Sequence, residues 1–478
     1  MSYAIDFGTS NTVAARWNPV AQNAETLSLP GISSRVGQNP DLIPSVLYVE
    51  NAAQGQVVVG QQVRDRGLDV RSDSRYFRGF KRGIGTSVQG FLPELDGMPV
   101  SFENIGTWFL QTLIQQLQQS HPDANDALVL TVPVDSFEAY RQWLGKVCQQ
   151  LKVEQVRLLD EPTAAALGYG KGDAQVILVV DFGGGTLDLS LVQLDHGRRT
   201  AAKPMGFILK WGEKNMAEDS AQRLKTARVL AKAGQNLGGT DLDHWIADHF
   251  AASQSLPITP LTLRLAERLK IELSLQSKAS EVYFDAEAFE SYDLTLERPE
   301  FEFILKEHLF FERLDQCMAQ VLQQARRQGI TPDTIDAVLL VGGTSLIPSV
   351  QQWVGQYFDA AKIASSRPFE AIAQGALQIL QGVEVKDFLY HSYGIRYWDR
   401  RLQAHNWHTL IATGQPYPMS EPVELVLGAS TEGQPSIELV IGELGQETGG
   451  TEVYFDGDRL VTRSLAANQN QVQALNDR

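Results

Sequence analysis

Cysteine is nearly absent: the chain of 478 residues holds two, Cys148 and Cys317, both in helix-like sequence. Two thiols so placed exclude a disulfide framework and a structural zinc site, and they read as inert thiols of a reducing compartment. Long apolar runs are missing as well, none approaching the ~20 residues that a membrane span needs. The first residues run straight into a strand-like segment, with no basic stretch followed by an apolar one, so a cytoplasmic location is expected. Positive charge is in deficit, with 41 Lys and Arg against 57 Asp and Glu and a formal charge of −16. That balance argues against nucleic acid and against an anionic membrane as partners. It leaves a polyphosphate ligand open, because such a site is local and can recruit Mg²⁺.

What the chain does have is an internal echo. Asp6-Phe7-Gly8-Thr9-Ser10-Asn11 recurs in outline as Asp181-Phe182-Gly183-Gly184-Gly185-Thr186. Each copy follows an apolar strand-like run and combines an Asp at the strand end, glycine in a tight turn and a hydroxyl beside it. Such a turn aims backbone N–H groups and a hydroxyl at phosphate oxygens, since glycine lets the backbone approach closely. Two copies predict two similar halves gripping one polyphosphate from opposite sides. Asp6 and Asp181 then form a carboxylate pair facing a hydrated Mg²⁺, which needs only one or two carboxylates because it keeps most of its waters.

Strand-like and helix-like runs alternate to about residue 380, the pattern of a mixed or parallel sheet covered by helices. A strand is predicted over 127–132, a helix over 136–151 and a strand over 156–159 that delivers Glu161. Pro162 suits the first turn of the helix that follows, and Ala164, Ala165 and Ala166 allow close packing. Residues 303–327 read as one long amphipathic helix, ended by Gly329 and Pro332. A strand over 335–341 leads into Gly342-Gly343-Thr344-Ser345. The character changes near 383–392. Beyond it strands are expected over 423–427, 437–441 and 451–455, with Asp456-Gly457 turning into 459–462 as a hairpin. The polar residues from about 466 read as frayed.

Further candidates stand between these landmarks. Glu161, at a strand end, is placed to orient a water or a metal hydrate, or simply to favour the helix dipole. Thr186 and Asp188 extend the second turn. Lys81, in Phe80-Lys81-Arg82-Gly83, reads on local sequence as a solvated lysine. Glu267, Lys270 and Ser274 lie three and four apart and form one polar stripe on a helix. That stripe is either a solvated face or the edge that holds a ribose. His244 and His249 are five apart, which does not give a shared metal face, and His405 and His408 lack support as ligands.

Taken in order, Asp6 to Asn11, Lys81-Arg82, Glu161-Pro162-Thr163-Ala164-Ala165-Ala166, Asp181 to Thr186, Leu237-Gly238-Gly239, Glu267 to Ser274 and Val341-Gly342-Gly343 resemble the motif series of the heat-shock protein 70 (DnaK-type) chaperones, in the actin-like ATPase superfamily. The resemblance covers residues 1–384 and extends more weakly beyond. It implies an α/β fold, a two-lobed actin-like ATPase domain (duplicated mixed sheet with flanking helices) over 1–384. An interdomain linker over 385–392 would follow, then a reduced β-sandwich-like substrate-binding domain over 393–465 without a helical lid, and a flexible tail over 466–478. It implies ATP hydrolysis with ATP or ADP and Mg²⁺ as cofactors and K⁺ as a further candidate ion. Gly8, Thr9, Ser10 and Asn11 resemble the first phosphate loop, and Gly183, Gly184, Gly185 and Thr186 the second. Lys81, Glu161, Asp181 and Thr186 resemble the catalytic set, with Asp6, Asp181 and Asp188 toward the metal. Gly238, Gly239, Glu267, Lys270, Ser274, Gly342, Gly343, Thr344 and Leu346 resemble the adenosine side. Unfolded polypeptide or a dedicated client is the implied partner, with a nucleotide-exchange factor as a further candidate.

Four departures from the family pattern stand out. Leu346 occupies the place of an Arg that stacks on adenine, with Ile271 opposite, and Phe369 replaces an acid near Arg367-Pro368. The stretch between Asp188 and Gly238 is long, and from Arg198 to Lys232 it carries nine Lys or Arg against three Asp or Glu. It reads as a solvated helical excursion or a partner-docking patch. The linker runs Asp387-Phe388-Leu389-Tyr390-His391-Ser392. Arg157 matches a residue that couples to J-domain partners, whereas Ser392 lacks the matching acid, which argues against such a partner. The β-domain is short, and Trp407 reads as a core aromatic or the wall of a peptide groove. A small-molecule kinase, an actin-like filament former and a nucleotide-dependent scaffold are the competing readings.

Overall fold

The computed structural model describes residues 2–35, 39–70, 73–86, 93–121, 127–133, 137–169, 176–194, 207–211, 214–215, 228–285, 289–379, 392–399, 404–411, 423–425, 439–444, 451–456, 459–464 and 472–474. The echo in the sequence is a duplication in space. In the first lobe, β1 (Ser2–Phe7) pairs antiparallel with β2 (Asn11–Asn18) and parallel with β4 (Ala127–Val132). β3 (Asn23–Thr26) lies beyond β2, and β5 (Gln155–Asp160) runs parallel to β4. In the second lobe β6 (Val176–Phe182) takes the place of β1. It pairs antiparallel with β7 (Leu187–Gln193) and parallel with β11 (Ala337–Val341), while β10 (Arg228–Gln235) lies beyond β7 and β12 (Ile363–Ala364) beyond β11. The two orders, β3-β2-β1-β4-β5 and β10-β7-β6-β11-β12, match in sequence and in direction. Each glycine turn of the echo therefore joins a central strand to its antiparallel neighbour.

The central strands are apolar on both faces, because helices cover both sides of each sheet. The described helices are α1 (Gln61–Asp65), α2 (Phe102–Ser120), α3 (Phe137–Gln149), α4 (Glu161–Tyr169), α5 (Gly239–Gln254), α6 (Pro260–Leu275), α7 (Arg298–Glu307), α8 (Phe310–Arg327), α9 (Pro348–Val354) and α10 (Ala371–Gln378). One core packs β1 and β4 against α2 and α3, and a second packs β6, β7 and β11 against α5, α6, α7 and α8. Between the two sheets lie α4 and α10, whose small residues Ala164, Ala165, Ala373 and Ala376 are buried. Their backbones touch. A side chain on Gly168 would meet the carbonyl oxygen of Ala371, and one on Gly375 that of Ala164.

The expected single helix over 303–327 is two helices, broken at Leu309 with φ 53°. Leu305 and Phe310 are both fully buried. In one continuous helix, positions five apart point about 140° apart, so the break is what lets both face the same core. The long stretch after Asp188 is not a helical excursion where it is described. Its β8 (Phe207–Trp211) and β9 (Lys214–Asn215) are strands, and β8 pairs antiparallel with β5 of the first lobe. Aromatic and branched residues there suit a strand more than a helix.

Beyond the lobes, β13 (Ser392–Asp399), β14 (Ala404–Ile411), β15 (Ile441–Leu444) and β18 (Val472–Ala474) form a sheet of order β14-β13-β15-β18, and β16 (Thr451–Asp456) pairs with β17 (Arg459–Ser464). Three expectations need correction. The strand expected over 437–441 lies at Ile441–Leu444, with Leu439 and Val440 outside it. Residues 423–425 are not in a strand, and Val472–Ala474, expected to be frayed, pairs with β15, whose edge would otherwise carry unmatched N–H and C=O groups. The linker over 385–391 and the Gly457 turn fall outside the described residues. Gly375→Ala is expected to lower stability by about 2 kcal/mol, read as a fall in the midpoint of thermal unfolding. An unchanged midpoint would contradict the close α4–α10 contact.

Candidate functional site

The two glycine turns meet. A side chain on Gly184 would collide with the Ser10 hydroxyl, and one on Gly185 would lie 2.8 Å from Thr9 Cγ2. Glycine is needed at both places because the facing turn leaves no room for Cβ. Ser45 ties the first turn down, its hydroxyl donating to Gly8 O at 2.7 Å and its N–H to Ser10 O at 2.8 Å. Asn11 begins β2. The second turn is closed by Gly183 N–H donating to Thr186 O at 3.0 Å.

Around the meeting point stand four acids and one lysine. Asp6, near the end of β1, accepts from Thr131 Oγ1 at 2.7 Å. Asp181, near the end of β6, is the register partner of Asp188 on β7. Glu161 opens α4, where Asp160 caps the helix by accepting from Thr163 N–H at 2.9 Å. Lys81 sits in a 3-10 turn, Phe80–Gly83, with its Nζ 2.8 Å from Glu161 Oε1. Its side chain is 9% exposed, so the local reading of a solvated lysine fails. The ammonium also lies 5.7 Å from the centre of the Phe7 ring, and Tyr140 donates to the carbonyl of Lys81 at 3.0 Å.

One lysine does not neutralise four buried acids, and their pKa values are displaced. Burial, then the Glu161 charge, pushes Asp6 up to about 6, against the pull of Lys81 and Thr131. Burial and the charges of Glu161, Asp188 and Asp6 carry Asp181 well above the usual carboxylate range. Burial again leads for Asp188, pushed up to about 6 with the Glu161 charge, although the Thr186 hydroxyl bonds to it. Lys81 shifts upward too: burial alone would lower it, but the charges of Glu161, Tyr140 and Asp6 outweigh that and hold it charged. The site is thus short of positive charge. Among the described residues no three His, Cys, Asp or Glu converge to ligate an ion directly. Such a donor set fits a cation that keeps its water shell, as Mg²⁺ does.

The adenosine-side candidates lie on the second lobe. Gly238 precedes α5 and donates to Asp241 Oδ2 at 2.8 Å, while Gly239 N–H donates to Gly183 O at 3.1 Å. Lys270 donates to Gly239 O at 2.7 Å and pairs with Asp243 at 2.6 Å. Thr344 Oγ1 donates to Gly183 O at 2.8 Å, so this turn is pinned to the second phosphate loop. Gly342, at φ 80°, and Gly343 carry the chain past Phe369, whose ring atom Cε1 would lie 2.9 Å from a Cβ on Gly343. Leu346 is half-buried and Ile271 is 37% exposed. Ser274 turns to its own helix, donating to Lys270 O at 3.1 Å. Glu267 faces the other lobe, where Arg64 of α1 reaches it at 3.3 Å.

That last contact belongs to a set that short motifs did not reveal. Arg264 of α6 bonds both oxygens of Asp69, at 2.8 and 3.0 Å. Arg82 crosses to the carbonyl of Gly185 and to Asp241. Arg78 Nη2 lies 3.2 Å from His244 Nε2. His244 and His249, which instead pairs with Glu300 at 3.3 Å, are not a metal pair. The signal in sequence was only a scatter of arginines, since ion pairs between residues some 200 apart leave no spacing to read.

A profile of the family described as Hsp70 protein matches residues 93–202 and 226–399, more than half of the chain. The chain belongs to the Hsp70 family. Its duplicated α/β lobes are the actin-like ATPase fold of that family, and membership supports a nucleotide-binding, chaperone-type function. No described helix of this Hsp70-family chain is long and apolar enough to cross a membrane. Cys148 and Cys317 are buried, and burial with the nearby Asp188 charge pushes the Cys317 thiol up to about 12, so it stays protonated.

The raised carboxylates have a consequence for stability. Asp6 and Asp188 titrate near 6 when folded and near 3.8 as unperturbed groups. The folded chain therefore holds extra protons between these values, and their stabilising effect is lost as pH rises through about 6. Without metal or nucleotide, Asp188→Asn is expected to melt above the wild type at pH 7.5, with no such advantage at pH 4. An equal difference at both pH values would contradict it.

Proposed function

We propose that this Hsp70-family chain hydrolyses ATP bound with Mg²⁺ between its lobes, and that the nucleotide state controls how the short β-domain takes up a polypeptide or one dedicated partner. The observation that carries the reading is the Lys81–Glu161 pair, buried at 2.8 Å beside three aspartates of raised pKa where two glycine turns meet. Phosphoryl transfer asks for positioning and charge neutralisation more than for covalent help, and this arrangement offers both. Bound Mg²⁺ would supply the positive charge that the acid cluster lacks. Asp6, Asp181 and Asp188 would hold its water shell.

The remaining roles fall to the chain's own groups. Backbone N–H groups of residues 8–11 and 183–186 would donate to phosphate oxygens. Lys81, fixed by Glu161 and by the Tyr140 bond to its carbonyl, would place its ammonium on the attacking water. Glu161 and Thr186 would orient that water, with Asp181 as its proton acceptor. Gly238, Gly239, Glu267, Lys270, Ser274, Gly342, Gly343, Thr344 and Leu346 would form the adenosine side. Without a cation to stack on the base, that side keeps apolar contact and forgoes roughly 0.5–2 kcal/mol.

Closure would follow from the cleft walls. Arg64–Glu267 and Arg264–Asp69 join the lobes in the closed form, and a nucleotide that touches both lobes shifts the equilibrium toward it by its differential affinity. Lys81→Ala is expected to bind ATP while hydrolysing it about 10²–10³-fold more slowly, measured as phosphate release at saturating nucleotide. Wild-type turnover in that variant would contradict the assignment.

A further inference from the structure

Lys81 has a neighbour of the same charge that turns another way. Both stand on the 3-10 turn Phe80–Gly83, entered through Gly79 at φ 65°. Successive side chains of such a turn leave its axis about 120° apart, so one short turn sends two cations in two directions. Lys81 reaches Glu161 on α4. Arg82 reaches the second glycine turn, its Nη2 donating to Gly185 O.

The two cations are not equally matched. Lys81 meets its carboxylate at 2.8 Å, whereas Arg82 meets Asp241 at 3.4 Å, beyond the ~2.7–2.9 Å of a charge-assisted bond. The same Asp241 oxygen already accepts from Gly238 N–H at 2.8 Å. The Arg82 side chain is 9% exposed, and its Nε is buried with no acceptor among the described residues. An unpaired buried donor costs free energy, and more so on a charged group. Burial accordingly pulls the guanidinium below its ordinary value, against the charge and the hydrogen bond of Asp241. Nε stands where the two glycine turns meet: a Cβ on Gly185 would lie 2.5 Å from it and 3.0 Å from Thr9 Oγ1. Glycine at 185 therefore keeps open a gap lined by a hydroxyl of the first turn and by the unpaired nitrogen of Arg82.

We propose that Arg82 is a further catalytic residue, whose Nε donates to the terminal phosphoryl group of the bound nucleoside triphosphate. This rests on the ATPase reading above and adds to it a group that Lys81, Glu161 and the aspartates do not supply. In hydrolysis the water oxygen bonds to the terminal phosphorus. The bond from that phosphorus to its bridging oxygen breaks, and the electron pair leaves on the diphosphate. The water proton passes to Asp181. Arg82 changes no bond and keeps its proton. It donates to the phosphoryl oxygens over which negative charge is spread during transfer, where a fixed cation has its largest effect. The Gly185 carbonyl holds the guanidinium in place beforehand, so little ordering remains when nucleotide arrives.

An arginine that only joined the lobes would act on every nucleotide alike, so the test compares two ligands. Titration calorimetry on the full chain with Mg²⁺ measures Kd for ADP alone and for ADP with aluminium fluoride, which stands in for the phosphoryl group in transfer. In Arg82→Ala the Kd with aluminium fluoride is expected to rise about 10²-fold or more, and that for ADP alone by less than about threefold. ATP turnover is expected to fall about as far as the first of these. Should Arg82→Ala fail to fold, Arg82→Lys decides: it keeps the charge without the guanidinium fork, and the same split is expected. Equal losses for the two ligands, or undiminished turnover, overturn the proposal and leave Arg82 a contact between lobes. A wild type that hydrolyses no ATP overturns the ATPase reading and this proposal with it.

Discussion

Everything at the centre of this molecule answers to one imbalance of charge: Asp6, Asp181, Asp188 and Glu161 face a single ammonium, Lys81, where the two glycine turns meet. Carboxylates taken out of bulk water lose hydration and, brought together, repel; burial first and that repulsion second raise the three aspartates. A fold does not keep such a cluster for stability, since a neutral core would serve better. On the ATPase reading proposed above, the cluster is half of a complex, and a hydrated divalent cation with its nucleotide would be the other half. The duplication explains the geometry. Two equivalent strands, β1 and β6, each carry an Asp next to their last residue, and α4 and α10 pack between the two sheets.

A few contacts cross the cleft between the lobes. At the walls these are ion pairs of arginines with carboxylates, together with Arg82 bound to the second glycine turn. Partly exposed pairs of this kind contribute little each, so separating the lobes would cost little at these walls. The strand β8 also crosses, pairing with the edge of the first-lobe sheet. The β-domain behind the lobes is small, four paired strands with a separate hairpin among the described residues.

Much of this was legible in the sequence, for physical reasons. Asp-Phe-Gly turns, the run of alanines after Glu161 and the strands that deliver them are local features, so their elements and the acid cluster followed from residue order. Lys81 was not legible in the same way. Its local context gave a solvated lysine, and only its position against Glu161, 80 residues away, makes it a buried ion pair. The break at Leu309 escaped because apolar spacing alone does not reveal that Leu305 and Phe310 share a core. The strand β8 escaped because its partner lies on the other lobe and the lysines and arginines of the stretch around it suggested solvent. Val472–Ala474 was hidden in polar sequence, and pairing with β15 placed it.

Calorimetric titration of ATP into the full chain, with and without Mg²⁺, tests the central claim most directly. Four acids repel bare nucleotide, so the account requires binding in the presence of Mg²⁺ and a loss of at least about tenfold in affinity without it. Equal affinity under both conditions, or no binding under either, would contradict it.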